Sequence, residues 1–275
     1  MQSADSPRST LARAVAARID GLSSALSEQW RNARPIAHFV VDDLLPDATA
    51  RAIYAALPDI GGLLHRASLR ERKKAGVDLE AYEELVSDAL LCFQEDEVLA
   101  AIGRVIGSDS LHGDPTLYAS GVSAMEQGDF VNPHIDNSHD GDQQLYRVLN
   151  LLYYTTPNWS VDNGGNLELW DPGVKNPHVV PATFNRLVVM ATNQDSWHSV
   201  NPVRVPRARW CVSNYYFARR PLRESDYRHV TTFTGRPEEP LKRLVLGLDA
   251  RLLNAVGKRF PFLTRLTRHR RRPVG

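Results

Sequence analysis

The chain has 275 residues, 43% hydrophobic and 24% charged, with a formal net charge of +1. That suits one large domain or two small ones around a sizeable core, with no global excess of charge to draw nucleic acid or acidic lipid. No apolar run approaches the ~18 residues of a membrane-crossing helix, and two cysteines, Cys92 and Cys211, cannot build a disulfide framework, so a cytoplasmic protein with no membrane partner is expected.

We expect an α+β fold in one domain, 1–275: a mainly helical region over 10–110, a β-rich core over 117–220, a helical segment over 237–265 and a basic tail over 266–275. In "LARAVAARIDGLSSAL", Leu11, Val15, Ile19, Leu22 and Leu26 recur at helical spacing. Arg13, Arg18 and Asp20 interrupt any secretory core there. "PIAHFVVDDLLP" (35–46) reads as a strand, followed by a helix that Asp47 caps and Pro58 ends. Residues 66–93 are charged and then helical, the basic run "RERKK" forming a solvated face. "DEVLAAIGRVIG" (96–107) is an amphipathic helix stopped by Gly107.

From about residue 117 the pattern changes. "TLYASGVSAM", "QLYRVLNLLYY", "GNLELW", "HVVPATFNRLVVMA" and "RWCVSNYYFA" are short β-rich runs between Gly, Pro, Asn and Asp clusters. Strands at this spacing make an antiparallel sandwich or barrel, with the helices wrapped on it. The closing "RLTRHRRRPVG" reads as a solvated tail without a nucleic-acid role.

The chemistry begins at "FVNPHIDNSHDGD" (130–142), with two histidines and three aspartates. An EF-hand loop from Asp136 fails because Arg147 stands where the twelfth-position Glu belongs. His134, Asp136 and, sixty-two residues beyond Asp136, His198 make a two-His-one-carboxylate set. Three open octahedral positions suit non-haem Fe(II), whereas zinc would take the same ligands with a bound water. Arg209 favours iron. On "RWCVSNYYF", Arg209, Cys211, Ser213 and Tyr215 share one face, and on "RVLNLLYY" so do Val148, Asn150, Leu152 and Tyr154. A guanidinium inside a barrel needs an anion, and a carboxylate fits it in bidentate fashion. Arg209 with Tyr154 opposite a three-ligand metal describes a slot for 2-oxoglutarate.

The pieces "GDFVNPHID", "LNLLYYTTPNW", "NGGNLELWDP", "FNRLVVMATN", "WHSVNPV" and "RWCVSNYYF" occur, in order, in a region (118–217) that resembles the Fe(II)/2-oxoglutarate-dependent dioxygenases of the prolyl-4-hydroxylase-like branch. "HFVVDDLLPDATARAIYAALP" looks like the opening segment of bacterial members. The resemblance implies a double-stranded β-helix (jelly-roll, cupin-like) core. It implies iron on His134, Asp136 and His198, and 2-oxoglutarate held by Arg209 and Tyr154. Leu152, Leu167 and Val200 would line its slot, with Asn150 and Ser213 as further contacts. O2 is then the second cosubstrate, ascorbate a compatible reductant, and succinate and CO2 the co-products. One departure is Met125, where family members often carry Tyr. Asp136 itself speaks against the related halogenases, which replace this carboxylate with a small residue.

Around this set, His139, Asp140 and Asp142 read as a polar loop, Gly164-Gly165 as a turn beside the pocket, and Trp170 and Trp197 as packing. Arg204 and Arg207 sit in a Pro-bounded loop and compete poorly with Arg209 for the anion. The N-terminal helices, the 137–144 loop and the 221–240 segment are expected to shape the substrate pocket. The expected activity is hydroxylation of an unactivated C–H bond in a small metabolite, amino-acid or sugar derivative. The alternatives are a peptide prolyl hydroxylase of the same chemistry and a cupin-like isomerase or hydrolase.

Overall fold

The computed structural model describes residues 6–76, 78–118, 120–223 and 227–247. Two helices open the chain, α1 (Pro7–Gly21) and α2 (Ser23–Asn32). Ser6 caps α1 by accepting from the Ser9 amide, and Pro7 follows, where its missing N–H costs nothing. The stripe Leu11, Val15, Ile19 and Leu26 is buried as expected, but the helix is broken at Leu22, whose backbone (φ −114°) leaves the helical region. β1 (His38–Val41) is the expected strand. In α3 (Asp47–Ala55) Pro46 holds the cap position, so Asp47 lies in the first turn, where its charge favours the helix dipole without a capping bond. The helix also ends ahead of Pro58.

The charged run 64–76 departs from expectation. It forms a hairpin, β2 (Leu64–Ala67) and β3 (Glu71–Gly76), and β3 joins the core sheet. Its period-two pattern is written in ions. Lys74 pairs with Glu126 and Arg72 with Asp129, while Glu71 and Lys73 lie on the alternate face and pair with each other at 3.0 Å. Two more helices follow, α4 (Glu84–Leu91) and α5 (Asp96–Ile106). Gly107 closes α5 in the left-handed conformation (φ +74°) that favours glycine.

The remaining strands are β4 (Gly121–Met125), β5 (Phe130–Ile135), β6 (Tyr146–Tyr154), β7 (Leu167–Trp170), β8 (Pro177–Val180), β9 (Arg186–Ala191), β10 (His198–Val200), β11 (Arg209–Ala218) and β12 (Thr232–Phe233). They pair antiparallel in the order β1-β9-β6-β11-β4-β3-β5-β10-β7-β8. The path curls into two facing layers, the double-stranded β-helix, with β1 and β3 coming from the mainly helical region. Side chains separate by parity. Leu149, Leu151, Tyr153, Leu187, Val189, Val212 and Tyr216 pack outward against α1, α4 and α5. Tyr154, Leu167, Leu169, Val188, Met190 and Cys211 pack between the layers.

One residue breaks the alternation. β6 and β11 pair as Leu149 with Tyr216 but Arg147 with Phe217, so Val148 is an extra, bulged residue. Val148 joins the outward cluster instead of the face it was expected to share with Asn150, Leu152 and Tyr154. Arg147 is turned inward. After β12, residues 240–247 are helical. The rest of the expected 237–265 segment and the 266–275 tail lie outside the described residues, and no helix among those described is long and apolar enough to cross a membrane.

Candidate metal centre and anion pocket

His134 lies near the end of β5, Asp136 just beyond it, and His198 opens β10, directly opposite His134 in the sheet. Their ligand atoms fall within 4.8 Å of one another. Each imidazole Nε2 is 3.7 Å from an Asp136 oxygen, His134 from Oδ1 and His198 from Oδ2. An ion about 2.0–2.2 Å from each ligand would set them roughly 3–4 Å apart. Each ring is oriented from behind. His134 Nδ1 lies 3.0 Å from the Asn132 carbonyl and His198 Nδ1 lies 2.9 Å from the Ser196 carbonyl. A carbonyl only accepts, so each Nδ1 carries the hydrogen and each Nε2 presents a lone pair to the common point.

The electrostatics agree. Burial, then the neighbouring His198, pushes His134 down to about 3, so this ring is neutral. Burial alone would raise the Asp136 carboxyl, but Arg147, the two imidazoles and Lys73 hold it below the usual carboxylate range. Asp136 Oδ2 is buried and receives no hydrogen bond. Two lone pairs and an undonated carboxylate oxygen converging in a buried site fit a cation. Phe233 stacks on His134 (4.9 Å, 15°), a contact the sequence did not announce.

Arg209 lies deeper, 4% exposed, at the start of β11. Its Nη2 donates to Met125 Sδ at 2.7 Å, and its guanidinium sits 5.3 Å over the Tyr154 ring. Its Nε finds no acceptor, and among the described residues no carboxylate pairs with it. A thioether is a weak acceptor, so the charge is left uncompensated and the pocket fits an anion. Arg204 and Arg207 are exposed, with Arg207 spent on the Pro157 and Asn158 carbonyls. Register places Cys211 opposite Tyr154, Ser213 opposite Leu152 and Tyr215 opposite Asn150. Leu167 pairs with Val200, closing the other side of the same interior. Asn150 Oδ1 is buried there without a donor.

Gly164 and Gly165 make the turn beside this pocket (φ +73° and +67°); a Cβ on Gly165 would stand 3.3 Å from Arg209 Nε. A Cβ on Gly164 would meet the Pro202 carbonyl oxygen at 2.0 Å. Gly164→Ala is therefore expected to cost about 1–3 kcal/mol from backbone conformation alone, before the clash is relieved. At about 2–4 °C per kcal/mol, thermal melting will show it.

Two charged groups beside the triad escaped the sequence reading. Arg147 is buried, its Nη1 3.6 Å from Asp136 Oδ2 and its guanidinium 4.3 Å over the Tyr215 ring. Lys73 reaches in from β3. The 137–144 loop behaves as a structural turn: Asp140 accepts from the Gln144 and Leu145 amides, and His139 is packed on Tyr146. Trp170 is packing, donating to Ser199 Oγ at 2.7 Å. Behind His198, that Ser199 hydroxyl donates to Glu168 at 2.5 Å, and Arg236 pairs with Glu168 at 2.7 Å. Removing one partner of a buried pair strands the other, so Glu168→Ala should destabilise the protein by about 3–5 kcal/mol in a denaturant titration.

Comparison with known proteins follows the same lines. The family model described as the 2OG-Fe(II) oxygenase superfamily matches residues 120–217. No curated protein matches the chain. Among solved structures, a Pseudomonas putida prolyl-4-hydroxylase is similar with a TM-score of 0.52 at 21% identity, covering 75% of this chain and 99% of that one. A Trichoplax adhaerens prolyl hydroxylase, solved with a hypoxia-inducible-factor peptide, gives 0.55 at 18% identity over 74% and 91%. A non-haem α-ketoglutarate-dependent epimerase of nogalamycin biosynthesis gives 0.51 at 11% over 79% and 86%. These likenesses establish the fold, and residues 120–217, just over a third of the chain, match the 2OG-Fe(II) oxygenase superfamily, whose dioxygenases and hydroxylases work with Fe(II) and 2-oxoglutarate.

Proposed function

We propose that His134, Asp136 and His198 hold the iron, that Arg209 receives the distal carboxylate of 2-oxoglutarate, and that the enzyme hydroxylates a small polar metabolite such as an amino-acid or sugar derivative. Bound there, iron supplies O2 activation coupled to oxidation of 2-oxoglutarate to succinate and CO2. The chain's own part is geometric and electrostatic. The Asn132 and Ser196 carbonyls fix the two imidazoles, and Arg147 keeps Asp136 ionised and in place. Arg209 offers one buried cation over the Tyr154 ring, beside an apolar cluster that includes Leu152, Leu167 and Val200, with Ser213 and Asn150 farther along the same paired strands. That suits a diacid whose other end reaches the metal.

The preference for a small substrate rests on the pairing of β5. One edge of this strand is taken by β10, the other by β3 and then β12. Among the described residues no free strand edge is left beside His134 for an extended peptide to join by backbone hydrogen bonds. The ionic groups near the triad, Lys73, Glu71 and Arg147, suit a compact molecule bearing charge. Succinate release should rise with members of a small-metabolite panel and not with proline-containing peptides. Stimulation by peptides alone would overturn the substrate class, and iron-dependent turnover of a substrate without 2-oxoglutarate would favour a cupin-like isomerase or hydrolase.

A further inference from the structure

Charge is distributed unevenly along this nearly neutral chain. Residues 248–275 hold eight Lys and Arg against the single acid Asp249, a net +7, so the first 247 residues carry −6 of the overall +1. The helix over 240–247 leads directly into that segment and has two unlike sides. One side is anchored. Leu246 is buried, Arg243 donates to the Gly173 and Val174 carbonyls at 2.7 and 3.2 Å, and Lys242 lies 5.0 Å over the Phe130 ring. The other side presents Leu241, Leu244 and Val245, 80%, 63% and 51% exposed. These sit at i, i+3 and i+4, one stripe on the helix. In the amino-acid sequence Leu248, Leu252 and Val256 continue the spacing, and Phe260, Phe262, Leu263 and Leu266 alternate with cations up to Arg270, Arg271 and Arg272.

We propose that this face, with the basic sequence beyond it, docks the enzyme on an anionic phospholipid surface. An apolar stripe held outward by a fixed helix calls for a nonpolar phase, and a neighbouring +7 calls for negative charge. The headgroup–acyl boundary of an anionic bilayer offers both at once. Nucleic acid would use the cations and leave the leucines in water. The docking is interfacial, since no described helix can span a bilayer. The near-zero total charge conceals this asymmetry, because an acidic body offsets a basic end. The inference is independent of which substrate the active site takes.

The test is co-sedimentation of the full chain with phosphatidylcholine vesicles and with mixed phosphatidylcholine–phosphatidylglycerol vesicles, at low and high salt. Binding is expected only to the mixed vesicles and weaker in high salt. Two variants change it separately: Leu241→Glu with Leu244→Glu, and Arg270→Glu with Arg271→Glu and Arg272→Glu. Each should lower partitioning about tenfold or more, given about 1 kcal/mol per surface cation and a similar term or more for each leucine. Their melting temperatures should stay at the wild-type value. No binding, or equal binding to neutral vesicles, overturns the proposal. So does a leucine variant that binds normally, which would leave charge alone, or one that melts early, which would mean the chain itself covers the stripe.

Discussion

His198→Ala is expected to abolish iron-dependent turnover of 2-oxoglutarate, a loss of at least about 10³-fold. Removing a partner behind a metal ligand typically costs about 10–100-fold, and removing the ligand itself must cost more. Here the position has no understudy. On the proposed assignment His134 and Asp136 are the other two donors, and His198, oriented by the Ser196 carbonyl, has its Nε2 3.7 Å from Asp136 Oδ2. The neighbouring histidine, His139, is packed on Tyr146 and bonded to Ser138, so it does not replace the lost nitrogen. Anaerobic Fe(II) titration separates the outcomes: wild-type stoichiometry and affinity in the variant would mean that iron sits elsewhere.

Arg209→Met should move binding and stability in opposite directions. In the absence of ligand, the guanidinium is buried with its Nε unsatisfied and its Nη2 on a thioether. An unsatisfied buried donor costs about 1–3 kcal/mol, so the ligand-free variant should melt at or above the wild-type temperature. The same change strips the pocket of its cation. Losing one side of a desolvated charge pair costs about 2–5 kcal/mol, or about 30- to 4000-fold in 2-oxoglutarate affinity, with iron binding unchanged. Calorimetric titration of 2-oxoglutarate and a melting curve on the same preparation check both. A variant that is destabilised and still binds 2-oxoglutarate would show that Arg209 is a structural residue.

Much of this was legible beforehand, and the reasons are specific. Arg209 and Tyr154 are legible as inward residues of their strands because a strand's period of two is rigid, and the register of β11 with β6 follows it from Cys211 to Tyr215. The Gly107 stop and the buried stripe of α1 rest on local spacing alone. What escaped notice depended on partners distant in sequence. The run "RERKK" shows no apolar alternation because one of its faces is matched by Glu126 and Asp129 from the turn between β4 and β5. Phe233, on the two-residue β12, carries too little sequence to read as a strand, yet its ring covers a candidate ligand. Arg147 was hidden by a bulge, which no period announces.

That bulge also divides β6 into two jurisdictions. From Leu149 onward the strand lies between β9 and β11, while on the far side of Val148 β9 drops away, β11 continues to Tyr146, and the Arg147 side chain turns to Asp136. The excursion between Asp136 and Arg147 is thus a bight tied off at its neck by opposite charges, with Val148 absorbing the mismatch. Its length can drift over generations with only a small closure penalty, and neither the barrel's registry nor the aim of the carboxylate would feel the change.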